Sequence, residues 1–137
     1  MLFLILQFQC RHVDLLRQEA RKVYPIEACA ILFGKLSQTE ASVEKVEVAP
    51  NKLRSTTRFE IDPMRVVAAF NKAEEEGLDF IGLFHSHPAP AVPSLVDLKF
   101  MKLWGDAFWI ILSSTDGELA AYQIVNDKVK EATIRIE

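Results

Sequence analysis

Apolar positions along the chain switch between a period of two and a period near 3.6 residues, and the switches divide it into alternating strands and helices. Phe3 to Gln9 reads as a strand, with Gln7 and Gln9 bracketing Phe8. From Arg11 to Val23 the apolar residues Val13, Leu16, Ala20 and Val23 fall at helical spacing, and Tyr24-Pro25 ends that helix. Ala28 to Phe33 is a short apolar strand stopped by Gly34, and Ala41 to Val48 is another, carried by Val43, Val46 and Val48. Phe59-Glu60-Ile61 reads as a brief strand. The next helix is punctuated: Asp62 caps it, Pro63 suits its first position, Gly77 suits its end, and Val66, Phe70 and Ala73 form its stripe. Phe80 to Phe84 is a buried strand, and a third helix is predicted from about Ser94 to Trp104. Three strands close the chain, Phe108 to Leu112, Glu118 to Val125 and Lys130 to Ile136, with turns at Thr115-Asp116-Gly117 and Asn126-Asp127 between them. The sum predicts an α/β (α+β) fold, a mixed β-sheet packed by about three helices.

Composition changes this picture little. A chain of 137 residues suggests one domain, residues 1–137, long enough for a real core. The net charge of −3 and the lack of a basic block argue against a nucleic-acid binder. Lys52, Arg54 and Arg58 thicken the positive charge locally, which reads as a solvated loop before it reads as a docking patch. The opening MLFLILQFQC has no positive leader, and its pure apolar run stops at Leu6, so a signal peptide or membrane span is not expected and a cytoplasmic protein is. Cys10 and Cys29 form no CxxC pair and are expected as reduced residues, with a disulfide between neighbouring elements as the alternative. Trp104 and Trp109 are candidates for a homodimer interface, against the plainer reading that they belong to the core.

Candidate chemistry concentrates in FHSHPAPAVPSLVDL, Phe84 to Leu98, which holds two of the three histidines. Side chains at i and i+2 of an extended segment share a face, with Cα atoms ~6.6 Å apart, so His85 and His87 can converge on one metal ion. Zinc with nitrogen and oxygen ligands takes four partners, one of them water at a catalytic site, so a third protein ligand is needed. Asp97 is the leading candidate, in the first turn of the helix that follows a proline-stiffened loop; His12 is the rival. Ser94-x-x-Asp97 is also a capping-box pattern, and the two readings are compatible. A zinc hydrolase further needs a base, and spacing cannot choose among nineteen acidic residues. Glu27, at the mouth of an apolar strand, reads from the residues alone as a strand-end surface charge. A zinc deaminase is set aside, because no His-x-Glu and no Pro-Cys-x-x-Cys is present.

Pro25-x-Glu27-x-Cys29-x-x-Leu32-x-Gly34, then His85-x-His87-Pro88, then Pro93-Ser94-x-x-Asp97 together resemble the JAMM (MPN+) metalloprotease domain. Asn51 and Phe59-x-Ile61-Asp62-Pro63 between them are similar too, and the resemblance covers nearly the whole chain. It implies a cytidine-deaminase-like fold and one Zn²⁺ held by His85, His87 and Asp97. It also implies Glu27 as general acid/base and Ser94 as donor to the oxyanion. The implied substrates are ubiquitin-like modifier proteins and their conjugates, cleaved after a C-terminal Gly-Gly as isopeptide or peptide bonds. The prokaryotic stand-alone form acts on modifiers that also carry sulfur, so processing of a sulfur carrier is the alternative, and metal-free scaffolds of the MPN type are a further one. The tail is expected along a sheet edge by strand addition, with Asn51, Thr57 and Phe59 bordering its channel. The loop from Pro88 to Pro93 is one residue shorter than the family's usual spacing, and the prolines are expected to keep Asp97 within reach of the metal. Ala30 stands where the family often has glycine.

Overall fold

The computed structural model describes residues 5–137, so Phe3 and Leu4 of the first expected strand lie outside the described residues. In chain order the elements are β1 (Ile5–Phe8), α1 (Cys10–Val23), β2 (Cys29–Leu36), β3 (Glu40–Ala49), α2 (Pro63–Glu75), β4 (Asp79–His87), α3 (Leu95–Leu103), β5 (Phe108–Ser113), β6 (Leu119–Val125) and β7 (Lys128–Ile136). The strands are ordered β1-β3-β2-β4-β5-β6-β7, and β1 pairs in parallel with both β3 and β7. This closes the mixed sheet into a barrel, a closure that local periodicity does not encode. The closure is partial: β1 meets β3 only from Glu40 to Ser42, so the outer edge of β3 from Val43 to Ala49 has no strand partner among the described residues.

Two apolar clusters cover the two faces of the central strands. Leu32, Ala30 and Phe84 pack with Val13, Leu16 and Ala20 of α1. Ile31, Phe33 and Leu83 pack with Ala69 and Ala73 of α2 and Met101 of α3. Strands covered on both faces lose alternation, which is why Ile81 to His87 is buried without interruption. Trp109 is fully buried in the second cluster and Trp104 is half-buried against Phe80, so Trp109 is not available to an interface. Cys10 and Cys29 are free thiols, the first exposed and the second buried.

Several expected boundaries move for identifiable reasons. Gly34 does not stop β2; it sits at a register shift where a Cβ would strike the Ser42 carbonyl oxygen, so glycine lets β3 approach. β4 runs on through both histidines instead of ending before them. Phe59 to Ile61 is not a strand: Glu60 N donates to the Asn51 side chain, and Glu60 O accepts from Lys52 N at 2.8 Å. A side chain has taken the place of a partner strand. The α2 punctuation is as expected, with Asp62 accepting from Met64 N and Gly77 at φ +72°.

Glycines set a test of the sheet. A Cβ on Gly82 would land on the Phe108 backbone, whereas one on Gly77 would meet nothing within 4 Å. Gly82→Ala should cost ~3 kcal/mol or more by forcing β4 from β5, and Gly77→Ala only ~1–2 kcal/mol of left-handed backbone strain. Denaturant unfolding of the two variants checks the order.

Candidate metal centre

The end of β4 delivers two imidazoles to one face. Cys29 pairs across the ladder with His85, and two residues further on Glu27 comes opposite His87. From the other side, α3 presents its first turn. Ser94 caps that helix and accepts from Asp97 N at 3.1 Å, while Asp97 Oδ2 accepts from Ser94 N at 2.9 Å. The capping box is complete, and the same Oδ2 faces the histidines. His85 Nε2 lies 2.9 Å from His87 Nε2, and Asp97 Oδ2 lies 3.1 Å and 3.0 Å from them.

Glu27 Oε2 stands 3.8 Å from His87 Nε2. Glu27 is 1 % exposed, so the reading of it as a surface charge is overturned. Its backbone is clamped by the loop after β3: its N donates to Ser55 O at 2.9 Å, and its carbonyl accepts from Asn51 Nδ2 at 3.1 Å. His12 lies buried in α1, outside this group.

Burial shapes the protonation of the four groups differently. It pushes the Glu27 carboxyl up to about 7; His87 draws it back, and the Asp97 charge adds to the rise. It also opposes ionisation of Asp97, but hydrogen bonds from His85 and His87 outweigh it and hold that carboxyl well below the usual carboxylate range. His85 is lowered by complete burial against the pull of Asp97. For His87, burial is outweighed by Asp97 and Glu27, and its value rises. The neighbouring Cys29 thiol is pushed up to about 12 by burial and the Glu27 charge, which keeps it unreactive.

The donor set fits a metal ion. Two ring nitrogens and a carboxylate oxygen lie at the corners of a triangle with edges of 2.9–3.1 Å. Tetrahedral zinc with bonds of ~2.0–2.1 Å needs its ligand atoms ~3.3 Å apart. Glu27 Oε1 is buried with no protein partner among the described residues. Glu27, His85 and His87 also offer ligand atoms within 4.8 Å of one another, so the chain carries two overlapping triads.

The residues expected around the tail separate. Phe59 stacks on the His85 ring, with centroids 4.8 Å apart and planes at 22°. It lines a cavity of about 330 Å³ with Leu53, Arg58, Val96, Phe100 and Trp104, and Asp97 reaches the same cavity. Asn51 instead uses its amide inside the loop, donating to the Glu27 and Arg58 carbonyls and accepting from Leu53 N and Glu60 N. Thr57 is exposed, with its hydroxyl 3.2 Å from that of Ser55. Two supporting residues carried no sequence signal: Ser86, whose Oγ accepts from Ala28 N at 2.8 Å, and Tyr122, whose hydroxyl donates to Ala91 O at 2.7 Å and fastens the proline loop.

Comparison with known proteins finds relatives along most of the chain. The family of prokaryotic homologs of the JAB domain matches residues 10–126. A desampylase of Pyrococcus furiosus is 40% identical over 112 residues, covering 81% of this chain and 75% of that protein. A CysO-cysteine peptidase of Mycobacterium bovis is 28% identical over 128 residues, covering 90% and 86%. The solution structure of a protein from Desulfitobacterium hafniense superposes with a TM-score of 0.86 at 27% identity, covering 96% of this chain and 92% of that one.

The two triads make different predictions. Asp97→Ala should weaken divalent-metal affinity at least ~100-fold, beyond the ~10–100-fold typical of supporting residues, and loss of its side chain from the capping box should cost ~1 kcal/mol of metal-free stability. Competition against a chelator and denaturant unfolding read the two effects. Unchanged affinity would assign the third ligand to Glu27.

Proposed function

The chain belongs to the prokaryotic homologs of the JAB domain, and from that membership we propose that it is a zinc-dependent peptidase and isopeptidase cutting after the C-terminal Gly-Gly of a small ubiquitin-like modifier. The carrying observation is the convergence of His85 Nε2, His87 Nε2 and Asp97 Oδ2, with the buried Glu27 carboxylate beside them. His85, His87 and Asp97 would hold Zn²⁺, which supplies Lewis-acid polarisation of the scissile carbonyl and acidifies its water.

Glu27, with a proton affinity near neutrality, takes a proton from the attacking water and hands it to the departing amine. Asp97, ionised, would supply the negative charge among the three residues that hold the metal. Ser94 Oγ accepts from Asp97 N, which leaves its own proton to donate to the tetrahedral oxyanion. Phe59 and the burial of the four polar groups keep bulk water from the reacting bond. The cavity beside Phe59 and Phe100 leads to Asp97 and suits an extended tail whose last residues are slim enough to pass. Beside that cavity the tail would bond to the loop backbone around Phe59.

The relatives' names support both substrate readings. A desampylase fits deconjugation from target lysines; a CysO-cysteine peptidase fits processing of a sulfur carrier, with the same chemistry and a different leaving amine. A non-catalytic scaffold would have no need of a buried carboxylate beside two imidazoles.

Glu27→Gln should lower kcat ~10²–10⁴-fold on a Gly-Gly–lysine-linked fusion while zinc stays bound. Ser94→Ala should lower it ~10²–10³-fold. Elemental analysis and gel-resolved cleavage check both. Activity surviving in the Glu27 variant would remove the assigned base; a wild-type chain with zinc that cuts neither a lysine-linked nor a peptide-linked Gly-Gly substrate would sink the proposal.

A further inference from the structure

The ladder between β2 and β4 changes character where the site begins. From Cys29↔His85 to Leu32↔Gly82 the pairing is regular antiparallel, and the register shifts only beyond Leu32. At Ala28 and Ser86 one rung is backbone, Ser86 N donating to Ala28 O at 3.0 Å. The other is a side chain: Ala28 N donates to Ser86 Oγ at 2.8 Å rather than to the Ser86 carbonyl. One residue further, the main chain of Glu27 has left the ladder for Ser55 and Asn51. Ala28–Ser86 is thus the last backbone tie between the strand that carries the carboxylate and the strand that carries the imidazoles.

We infer that Ser86 is a positioning residue for Glu27: its hydroxyl stands in for a ladder carbonyl and sets the gap between Glu27 and His87. This rests on the function proposed above. That gap is 3.8 Å, outside the ~2.7–3.2 Å of a hydrogen bond. At this spacing Oε2 is not tied to His87 and Oε1 has no protein partner, so the carboxylate keeps its acceptor capacity for a water and an amine. Ser86 is itself 1 % exposed, so solvent does not replace its hydroxyl when that is removed. Without it, the buried Ala28 N–H either goes unpaired or zips onto the Ser86 carbonyl, and either change moves Glu27.

The test compares Ser86→Ala with Ser86→Thr in the full chain. In Ser86→Ala kcat should fall ~10–100-fold, as a displacement of about 1 Å does. KM should stay within about threefold, and zinc content should be unchanged. Ser86→Thr should restore kcat to within about threefold of wild type, because the hydroxyl returns. A second reading needs neither metal nor substrate. In the metal-free protein, the Ala28 amide should exchange with deuterium at least about tenfold faster in Ser86→Ala than in wild type or Ser86→Thr, while the Ile31 amide keeps its rate. If alanine does not fold, Ser86→Val against Ser86→Thr makes the same comparison at matched shape. A kcat in the alanine variant within about twofold of wild type overturns the inference; so does a threonine variant as slow as alanine, or an Ala28 amide equally protected in all three. A wild-type chain that cuts no Gly-Gly substrate would remove the proposed function, and amide exchange would still decide for or against Ser86.

Discussion

Two carboxylates and two imidazoles share a space almost closed to water, and the rest of the molecule has to make that tolerable. Removing an unpaired charge from water costs several kcal/mol. Asp97 is compensated three times over: by His85, by His87, and by the first turn of α3, where backbone N–H groups favour negative charge. Glu27 has only its distant neighbour His87, and its charged form is correspondingly disfavoured. Two acidic side chains a few ångströms from the same imidazole are thereby driven apart, the Glu27 carboxyl up to about 7 and the Asp97 carboxyl well below the usual carboxylate range. That separation supports the roles proposed for them, Asp97 to hold charge and Glu27 to move protons.

The sheet supplies the geometry for this. β4 lies between β2 and β5, and both of its faces are covered. A central strand cannot twist freely, so His85 and His87 leave it in a fixed relation. Phe59 and Trp109 then pack against the His85 ring, one face-on and one edge-on, and fix its plane. The loop that carries Phe59 is held by Asn51, and the same amide holds the Glu27 carbonyl. The wall of the cavity and the proposed base therefore hang from one side chain.

Much of this was readable in the sequence where the cause is local. The Asp62-Pro63 start and Gly77 end of α2, the Ser94 cap and the convergence of His85 with His87 all follow from residues within a few positions of one another. What depends on residues far apart in the chain was not readable. Nothing in Ile5 to Phe8 says that it will bridge β3 and β7 and close the barrel. Nothing around Glu27 says that it will be buried, because the groups that bury it come from β4 and from the loop at 51–60. Phe59 to Ile61 has strand composition, yet its backbone bonds to Asn51 and Lys52, and no periodicity rule counts a side chain as a strand. Asn51 was expected to border the tail's channel, but its polar atoms turn inward to the loop.

The proline loop can bring His87 and Asp97 together without its length being critical. Asp97 does not hang from the loop's length. It stands at the third position of α3, and the capping box fixes its carboxylate relative to Ser94 whatever precedes that serine. The loop has only to set Ser94 down beside β4, and it is anchored along its path. The His87 carbonyl accepts from both the N–H and the hydroxyl of Ser114, at 2.7 and 2.8 Å, Val92 N turns back to Pro90 O, and Tyr122 holds Ala91 from β6. Prolines at 88, 90 and 93 restrict the unfolded alternatives, so less entropy is lost in keeping this path. The helix cap thus ties the Asp97 carboxylate to Ser94 rather than to the number of residues that precede it.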